Sequence, residues 1–169
     1  MSRRALAAAV VLACFTAALL LRSCFGYDFV FRADGVNFQE GDAWFHMRTV
    51  QNLLHHFPKR SGFDPYSAFP TGQPIPTGPF FDYAIGLLAW VSGLGAPSPQ
   101  LTDAIGAWFP AVLGALITVP VYFLGRTLFN PAAGLWAAAI VATLPGLFLR
   151  VSLLGFTDHH VAESLLSSQ

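Results

Sequence analysis

The feature that most constrains this chain is a set of long, uncharged apolar segments. Residues 5–21, 104–124 and 132–149 contain no Asp, Glu, Lys or Arg. A helix of 17 to 21 residues is about 25 to 30 Å long at 1.5 Å per residue, which is close to the thickness of the hydrocarbon layer of a membrane. The whole chain is 54% hydrophobic and only 11% charged, too few polar side chains to cover a water-facing surface. We therefore predict an all-α, polytopic integral membrane protein.

Charge and cysteine usage exclude other classes of function. Nine Lys and Arg balance nine Asp and Glu, so no excess of positive charge indicates a nucleic-acid partner, and we predict none. The two cysteines, Cys14 and Cys24, have neither the number of a disulfide framework nor the spacing of a zinc site. A cleaved signal peptide is the alternative for residues 5–21, but Arg22 before Ser23 is a poor cleavage context.

A fourth apolar segment, residues 80–95, decides the topology. It is shorter than the others and contains Asp82. Because Lys and Arg in short loops favour the cytoplasmic side, the two arginines before the first span place the N-terminus inside. If residues 80–95 do not cross, Arg126 also lies inside, and the loop 22–103 shares the outer face with the loop that begins at residue 150. If they cross, the two loops lie on opposite faces. We expect an interfacial or re-entrant segment and three spans.

The first loop, residues 22–103, contains two distinct features. Residues 41–48 read Gly-Asp-Ala-Trp-Phe-His-Met-Arg and lead into a predicted short helix through about Phe57. Residues 63–74 are too rich in Pro and Gly for a regular element, so we expect a conformationally restricted loop that shapes a site. Asp42 is a candidate site residue, with capping of the short helix as the alternative role.

The second loop begins at Arg150 and concentrates polar chemistry. Asp158, His159, His160 and Glu163 lie within six residues in a chain that is poor in charge. Ionisable groups at a membrane boundary are functional candidates, because removing them from water is costly. We expect these residues to lie at a junction between the loop and a helix.

The residue types predict a divalent ion. Carboxylates from Asp42 and Asp158 with an imidazole from His160 suit Mn²⁺ or Mg²⁺, since hard cations prefer oxygen and the nitrogen favours Mn²⁺. The alternative is that Asp158 only caps the following helix. For Arg150 two roles stay open, namely snorkelling at the end of a span and pairing with a phosphate or pyrophosphate group.

Several motifs occur together in a characteristic order. They are residues 41–48, 63–65 with 70–72, 78–82, the Val-Pro-Val-Tyr-Phe-Leu-Gly-Arg span at 119–126, and Leu-Gly-Phe-Thr-Asp-His-His at 154–160. Together they resemble the N-terminal part of the oligosaccharyltransferase catalytic subunit, in the single-subunit form of archaea and some bacteria. Each motif alone is weak, whereas the series is specific and covers nearly the whole chain.

The resemblance implies a membrane domain of the glycosyltransferase C type. It implies transfer of an oligosaccharide from a lipid-linked phosphate or pyrophosphate donor to Asn in Asn-X-Ser/Thr sequons of an acceptor polypeptide, on the external or periplasmic face of the cell membrane. By resemblance, Asp42 is catalytic and binds the ion, Asp158 and His160 complete the metal site, and Arg150 and His159 bind substrate. Family members also make the equivalent of residues 80–95 part of the first loop.

This sequence departs from the family pattern in two respects. Many relatives carry a His where Pro76 stands, which puts a donor-phosphate contact there in doubt. The catalytic Glu loop and the sequon-reading domain lie beyond residue 169, so we expect an N-terminal fragment that is inactive alone. The alternatives are another polyprenyl-phosphate glycosyltransferase, although no Asp-Glu pair occurs in the first loop, and a transporter fragment, although the apolar cores hold no ionisable group.

Overall fold

The computed structural model describes residues 2–168, which are mostly helical. The helices are α1 Arg3–Ser23, α2 Tyr27–Val30, α3 Gly41–His55, α4 Phe80–Ser92, α5 Pro99–Leu116, α6 Thr118–Leu128, α7 Pro131–Thr143, α8 Leu147–Val151 and α9 His160–Ser167. The expectation of an all-α chain needs one correction. Two short antiparallel ladders lie in the first loop, one pairing β1 Phe31–Arg32 with β2 Gly35–Val36 and the other pairing β3 Phe63–Asp64 with β4 Gln73–Pro74.

Two helical segments are long and apolar enough to cross a membrane, namely Arg4–Ser23 and Pro99–Leu128. The second contains the predicted span 104–124 and consists of α5 and α6, which are separated at Ile117. Pro120 accounts for the interruption, because it has no N–H to donate to the carbonyl four residues earlier. The helices α4 and α7 have 13 residues each, or about 20 Å of helix.

The predicted uninterrupted segment 132–149 is two helices in the structure. The helix α7 ends at Thr143, and α8 begins at Leu147. Leu144 is extended, with ψ of 115°, since the residue before a proline avoids the helical region. Gly146 follows with φ of +110°, a conformation that favours glycine. The Pro145–Gly146 pair therefore shortens the helix.

Close backbone approach joins α6 and α7 into a hairpin. A Cβ atom on Gly134 would lie 2.5 Å from the carbonyl oxygen of Tyr122, so only glycine fits there. Asn130 caps α7 by accepting a hydrogen bond from Ala133 N at 2.9 Å, with Pro131 at the first helical position, where its missing N–H costs nothing.

The polar loops meet at one end of the helices. The N–H of Leu154 donates to the carbonyl of Arg22 at the end of α1, and the N–H of Gly155 donates to the carbonyl of Ala107 in α5, each at 2.9 Å. At the other end of α1, Arg4 and Arg126 line one groove. The chain therefore has one end with basic side chains and one end where the two loops pack together.

Candidate functional site

The helix α3 carries the first group of site residues. It begins at Gly41 with Glu40 at the N-cap position, and no side chain caps it. Asp42 lies in the first turn and is exposed, where a negative charge is favourable to the helix dipole. His46 follows one turn later, on the same face, and is 1% exposed. The capping role considered for Asp42 is not observed, and its side chain is free to face the cleft.

A proline inside α5 positions the second group. Pro110 leaves the carbonyl of Gly106 without its helical partner, and the hydroxyl of Thr157 donates to that oxygen at 2.9 Å. Gly155 makes the approach possible, because it has φ of +81° and a Cβ there would lie 2.9 Å from Val30 Cγ2. The hydrogen bond thus fixes the residue directly before Asp158. A neighbour that satisfies the freed carbonyl is what the membrane-span interpretation of this segment requires.

Asp158 is buried and incompletely satisfied. Its side chain is 6% exposed, and its Oδ1 atom has no hydrogen-bond partner among residues 2–168. The Nδ1 atom of His159 lies 3.0 Å from Oδ1, but the orientation of the ring is not that of a hydrogen bond. The helix α9 begins at His160 without a side-chain cap, so Asp158 does not cap it. A buried carboxylate oxygen without a partner is costly and needs an explanation.

Two imidazole nitrogens lie close to this carboxylate. His46 Nε2 lies 3.2 Å from His159 Nδ1, and both lie with an Asp158 oxygen in a group whose atoms are within 4.8 Å of one another. The set of one carboxylate and two imidazoles fits a divalent metal ion, and an ion would satisfy Asp158 Oδ1. Of the predicted ligands only Asp158 belongs to this group, and Asp42 and His160 do not. Its other members are His159 and His46, which the sequence interpretation did not name as a ligand.

His160 belongs to a second, more exposed group. It forms a set of potential ligands with His159 and Glu163, and its Nε2 lies 3.8 Å from Asp158 Oδ2. The hydrogen bond between His160 Nδ1 and Glu163, at 3.2 Å, raises the pKa of His160, and the charges of Asp158, Glu163 and Asp42 add to this effect against the burial that lowers it. Asp158 thus lies between the two groups.

The two loops share a cleft of about 410 Å³. Asp42 and His46 from the first loop line it together with His159 from the second, and Arg48 is the cation in its wall. Pro76, where many relatives carry His, also lies in the wall. The structure therefore brings Asp42 and His159 into one cleft, whereas Asp158 and His160 are not among its lining residues. Asp42 belongs to neither of the two groups of potential metal ligands found among residues 2–168.

Arg150 lies apart from this cleft. Its Nη2 atom pairs with Glu40 at 2.8 Å, and its side chain is 60% exposed. It is not among the residues that line the cleft around Asp42. The arginine that lines the cleft is Arg48, which the sequence interpretation did not name as a site residue.

One sequence signal could have identified the missed histidine. His46 stands four residues after Asp42, and this spacing places both on one face of a helix. Asp82 carried a second signal, because it is the single charged residue of an apolar segment and such residues are functional candidates with a partner to be found. Its partner is His46, at 2.7 Å.

Comparison with known proteins places this site in a family. The family "Oligosaccharyl transferase STT3, N-terminal" matches residues 6–167. The dolichyl-monophosphooligosaccharide–protein glycotransferase AglB of Haloferax volcanii is 38% identical over 138 residues, which is 81% of this chain and 13% of that protein. The chain thus spans about an eighth of the length of this relative.

Solved structures from Archaeoglobus fulgidus are similar throughout the fold. Its oligosaccharyltransferase tethered to an acceptor peptide containing the NVT sequon superposes with a TM-score of 0.90 at 32% identity, covering 98% of this chain and 19% of that one. The same enzyme in complex with Zn and sulfate gives a TM-score of 0.86 at 34% identity, covering 94% and 20%. By its sequence, its fold and the motifs in both loops, the chain belongs to the STT3 family of oligosaccharyltransferases and corresponds to the N-terminal part of its members.

Proposed function

We propose that this chain forms the N-terminal membrane part of an oligosaccharyltransferase. The protein transfers an oligosaccharide from a lipid-linked phosphate or pyrophosphate donor to the Asn side chain of Asn-X-Ser/Thr sequons. The observation that carries the proposal is the cleft that Asp42 and His159 line from two loops, with the Asp158 oxygen that lacks a hydrogen-bond partner 3.0 Å from the His159 ring. The glycotransferase activity of the Haloferax relative and the sequon peptide tethered to the similar structure support it.

Asp42 is the catalytic residue in this proposal. An amide nitrogen is a poor nucleophile, so a carboxylate that accepts its N–H groups helps to localise electron density on it. Asp42 is exposed in the cleft, so an acceptor side chain can reach it. Its position in the first turn of α3 is fixed, because the same helix buries His46 and Met47 in the core.

Asp42, Asp158 and His160 are the proposed ligands of a Mn²⁺ or Mg²⁺ ion. When bound, such an ion neutralises charge that develops on the departing phosphate. The unpaired Asp158 Oδ1 supports a cation site, and the zinc in the similar structure supports divalent binding in this family. His160 must lose its proton to bind the ion.

Arg150 and His159 are the proposed contacts to the donor phosphate. His159 lines the cleft, and Arg150 pairs with Glu40, which directly precedes the cleft residue Gly41. Both partners of this pair are well exposed, and exposed pairs contribute at most about 1 kcal/mol. Arg150 can therefore exchange Glu40 for a phosphate at little cost.

The proposed membrane placement is that of a polytopic glycosyltransferase C-type domain. The spans lie near residues 5–21, 104–124 and 132–149, and the N-terminus lies in the cytoplasm. The first loop, residues 22–103, and the second loop, which begins at residue 150, both lie on the external or periplasmic face of the cell membrane. Segment 80–95 is interfacial. Arg4 and Arg126 at the end opposite the cleft support this orientation, because basic residues favour the cytoplasmic side.

The test is glycosylation of a fluorescent sequon peptide by the gene product that contains residues 1–169. With a dolichyl-phosphate-linked oligosaccharide and Mn²⁺, the natural protein should transfer the glycan, and Asp42→Asn and Asp158→Asn should each lose at least a hundredfold in rate. The matched control is Asp28→Asn, an exposed acid outside the cleft. Full activity of the Asp158→Asn variant contradicts the metal assignment.

A further inference from the structure

A carboxylate is buried behind the cleft, on the apolar helix α4. Asp82 is 0% exposed. Its Oδ1 accepts a hydrogen bond from His46 Nδ1 at 2.7 Å, and its Oδ2 accepts one from Arg60 Nε at 2.8 Å. Arg60 also donates to the carbonyl and hydroxyl oxygens of Thr77. The cluster joins α4, α3 and the first loop.

The hydrogen bond to Asp82 fixes the proton position of His46. An ionised carboxylate can only accept hydrogen bonds, so the hydrogen of the neutral imidazole must lie on Nδ1. The Nε2 atom then carries a lone pair. This atom lies on the side of His159, 3.2 Å from its Nδ1, and Phe81 packs edge-on against the His46 ring at 5.0 Å. The ring is therefore held in orientation as well as in tautomer.

The spacing of the donor atoms matches that of ligands on one ion. A first-row divalent ion binds nitrogen and oxygen at about 2.1 Å, so adjacent ligands lie about 3.0 to 3.4 Å apart. The separations are 3.2 Å from His46 Nε2 to His159 Nδ1 and 3.0 Å from His159 Nδ1 to Asp158 Oδ1. The unpaired, buried Asp158 oxygen is the independent sign that something positive belongs between them.

We propose that His46 Nε2 is a ligand of the divalent ion in this cleft, and that Asp82, held by Arg60, is the positioning residue that presents it. The proposal rests on the proposed function only in that the cleft binds an ion. Because His159 Nδ1 lies 3.2 Å from this atom, His159 here acts as a second nitrogen ligand and not as the phosphate contact proposed above. Nitrogen ligands from both loops move the preference of the site from Mg²⁺ towards Mn²⁺ and Zn²⁺.

One substitution of His46 separates the ligand atom from the structural contact. In His46→Asn the amide nitrogen takes the place of Nδ1 and can still donate to Asp82, but no atom replaces Nε2. Titration of the purified chain in detergent with Mn²⁺, followed by the EPR signal of free Mn²⁺, should show at least a tenfold loss of affinity at an unchanged thermal midpoint. His56→Asn, at an exposed histidine, is the matched control and should bind Mn²⁺ normally. Unchanged affinity of His46→Asn overturns the proposal.

The variant Asp82→Asn tests the positioning role. An amide can donate to Nδ1 as well as accept from it, so the tautomer is no longer fixed, and loss of such a partner typically reduces metal affinity 10- to 100-fold. If Asp82 has only a structural role, Asp82→Asn lowers the thermal midpoint but leaves the Mn²⁺ affinity of the folded fraction unchanged. That result overturns the positioning role of Asp82. Glycan transfer distinguishes the two proposals. If the natural protein transfers glycan while His46→Asn keeps its Mn²⁺ affinity, only the assignment of His46 as a ligand is refuted. If the natural protein binds Mn²⁺ through His46 but transfers no glycan, only the proposed function is refuted.

Discussion

Among the side chains that the structure describes, two arginines are removed from water, and the two regions that hold them compensate for the loss of hydration differently. Arg60, 10% exposed, lies at the cleft end and forms an ion pair with the fully buried Asp82. Arg22, 1% exposed, lies between the helices and donates only to neutral acceptors, which are the carbonyls of Ala18 and Ala142 and the hydroxyl of Ser152. Within residues 2–168, Arg22 has no acidic partner.

The difference separates a chemical role from a mechanical one. At Asp82 the anion between Arg60 and His46 determines which nitrogen of His46 faces the cleft. At Arg22 the guanidinium joins α1 to α7 and to Ser152, at the end of α8, through groups that carry no charge. If this distinction is right, substitutions in the two regions differ in size and in what else they change.

The largest loss of stability is expected for Asp82→Leu. It leaves the Arg60 cation buried without an anion, and breaking a buried pair in this way costs about 3 to 5 kcal/mol. The double variant Asp82→Leu with Arg60→Met should recover more than half of the loss, because no unpaired charge remains. Thermal unfolding in detergent measures both. A double variant no more stable than the single one would break the comparison.

A smaller loss is expected for Gly114→Ala. The added Cβ would lie 2.4 Å from Ser152 Cβ and 2.7 Å from Arg22 Nε, so it forces the Arg22 network apart. Overpacking of this kind costs about 1 to 3 kcal/mol. Gly26→Ala is the control, since no atom lies within 4 Å of the Cβ added there. Equal thermal midpoints for the two variants would show that the network is not tightly packed.

Arg22→Met should cost only about 1 kcal/mol. It removes hydrogen bonds to neutral acceptors, each with a net value of about 0.5 to 1.5 kcal/mol, but it also removes a desolvated charge. The exposed Arg32→Met is the matched control and should be neutral within about 0.5 kcal/mol. A loss as large as that of Asp82→Leu would mean that Arg22 has an anionic partner after all.

The smallest effect depends on pH and concerns the first loop. Burial raises the pKa of Asp64, but hydrogen bonds from Ser67 and Tyr66 N and the ion pair with Arg48 lower it below 3.8 on balance. A lowered carboxylate pKa stabilises the fold above the unfolded value and loses this effect as the pH falls through the folded value. The difference in thermal midpoint between the natural chain and Asp64→Asn should therefore shrink from pH 6 to pH 3. A constant difference would contradict the assignment.

Much of the site could be predicted because its motifs are local. The family, the predominance of helix and the importance of both loops follow from runs such as residues 41–48 and 154–160. The carbonyl freed by Pro110 accepts its hydrogen bond from Thr157, in the loop between α8 and α9, and local sequence does not identify this partner.

The rest depends on partners that are distant in sequence. Asp82 served only to make the segment 80–95 a doubtful span, because its contacts to His46 and Arg60 cross 36 and 22 residues. Hydropathy also did not predict the end of α7 before Pro145, since one proline and one glycine scarcely change the mean hydropathy of residues 132–149. Arg150 was assigned by its order in the chain, which does not reveal that its nearest charge is Glu40.

Pulsed EPR of Mn²⁺ bound to the purified chain tests most directly whether the two loops meet at one ion. Coordinated imidazole nitrogens modulate the electron spin echo, so the natural protein should show nitrogen modulation that weakens in His46→Asn from the first loop and changes again in Asp158→Asn from the second. Two results would contradict a shared site. One is Mn²⁺ that binds without nitrogen modulation, and the other is a variant whose signal is the same as that of the natural protein.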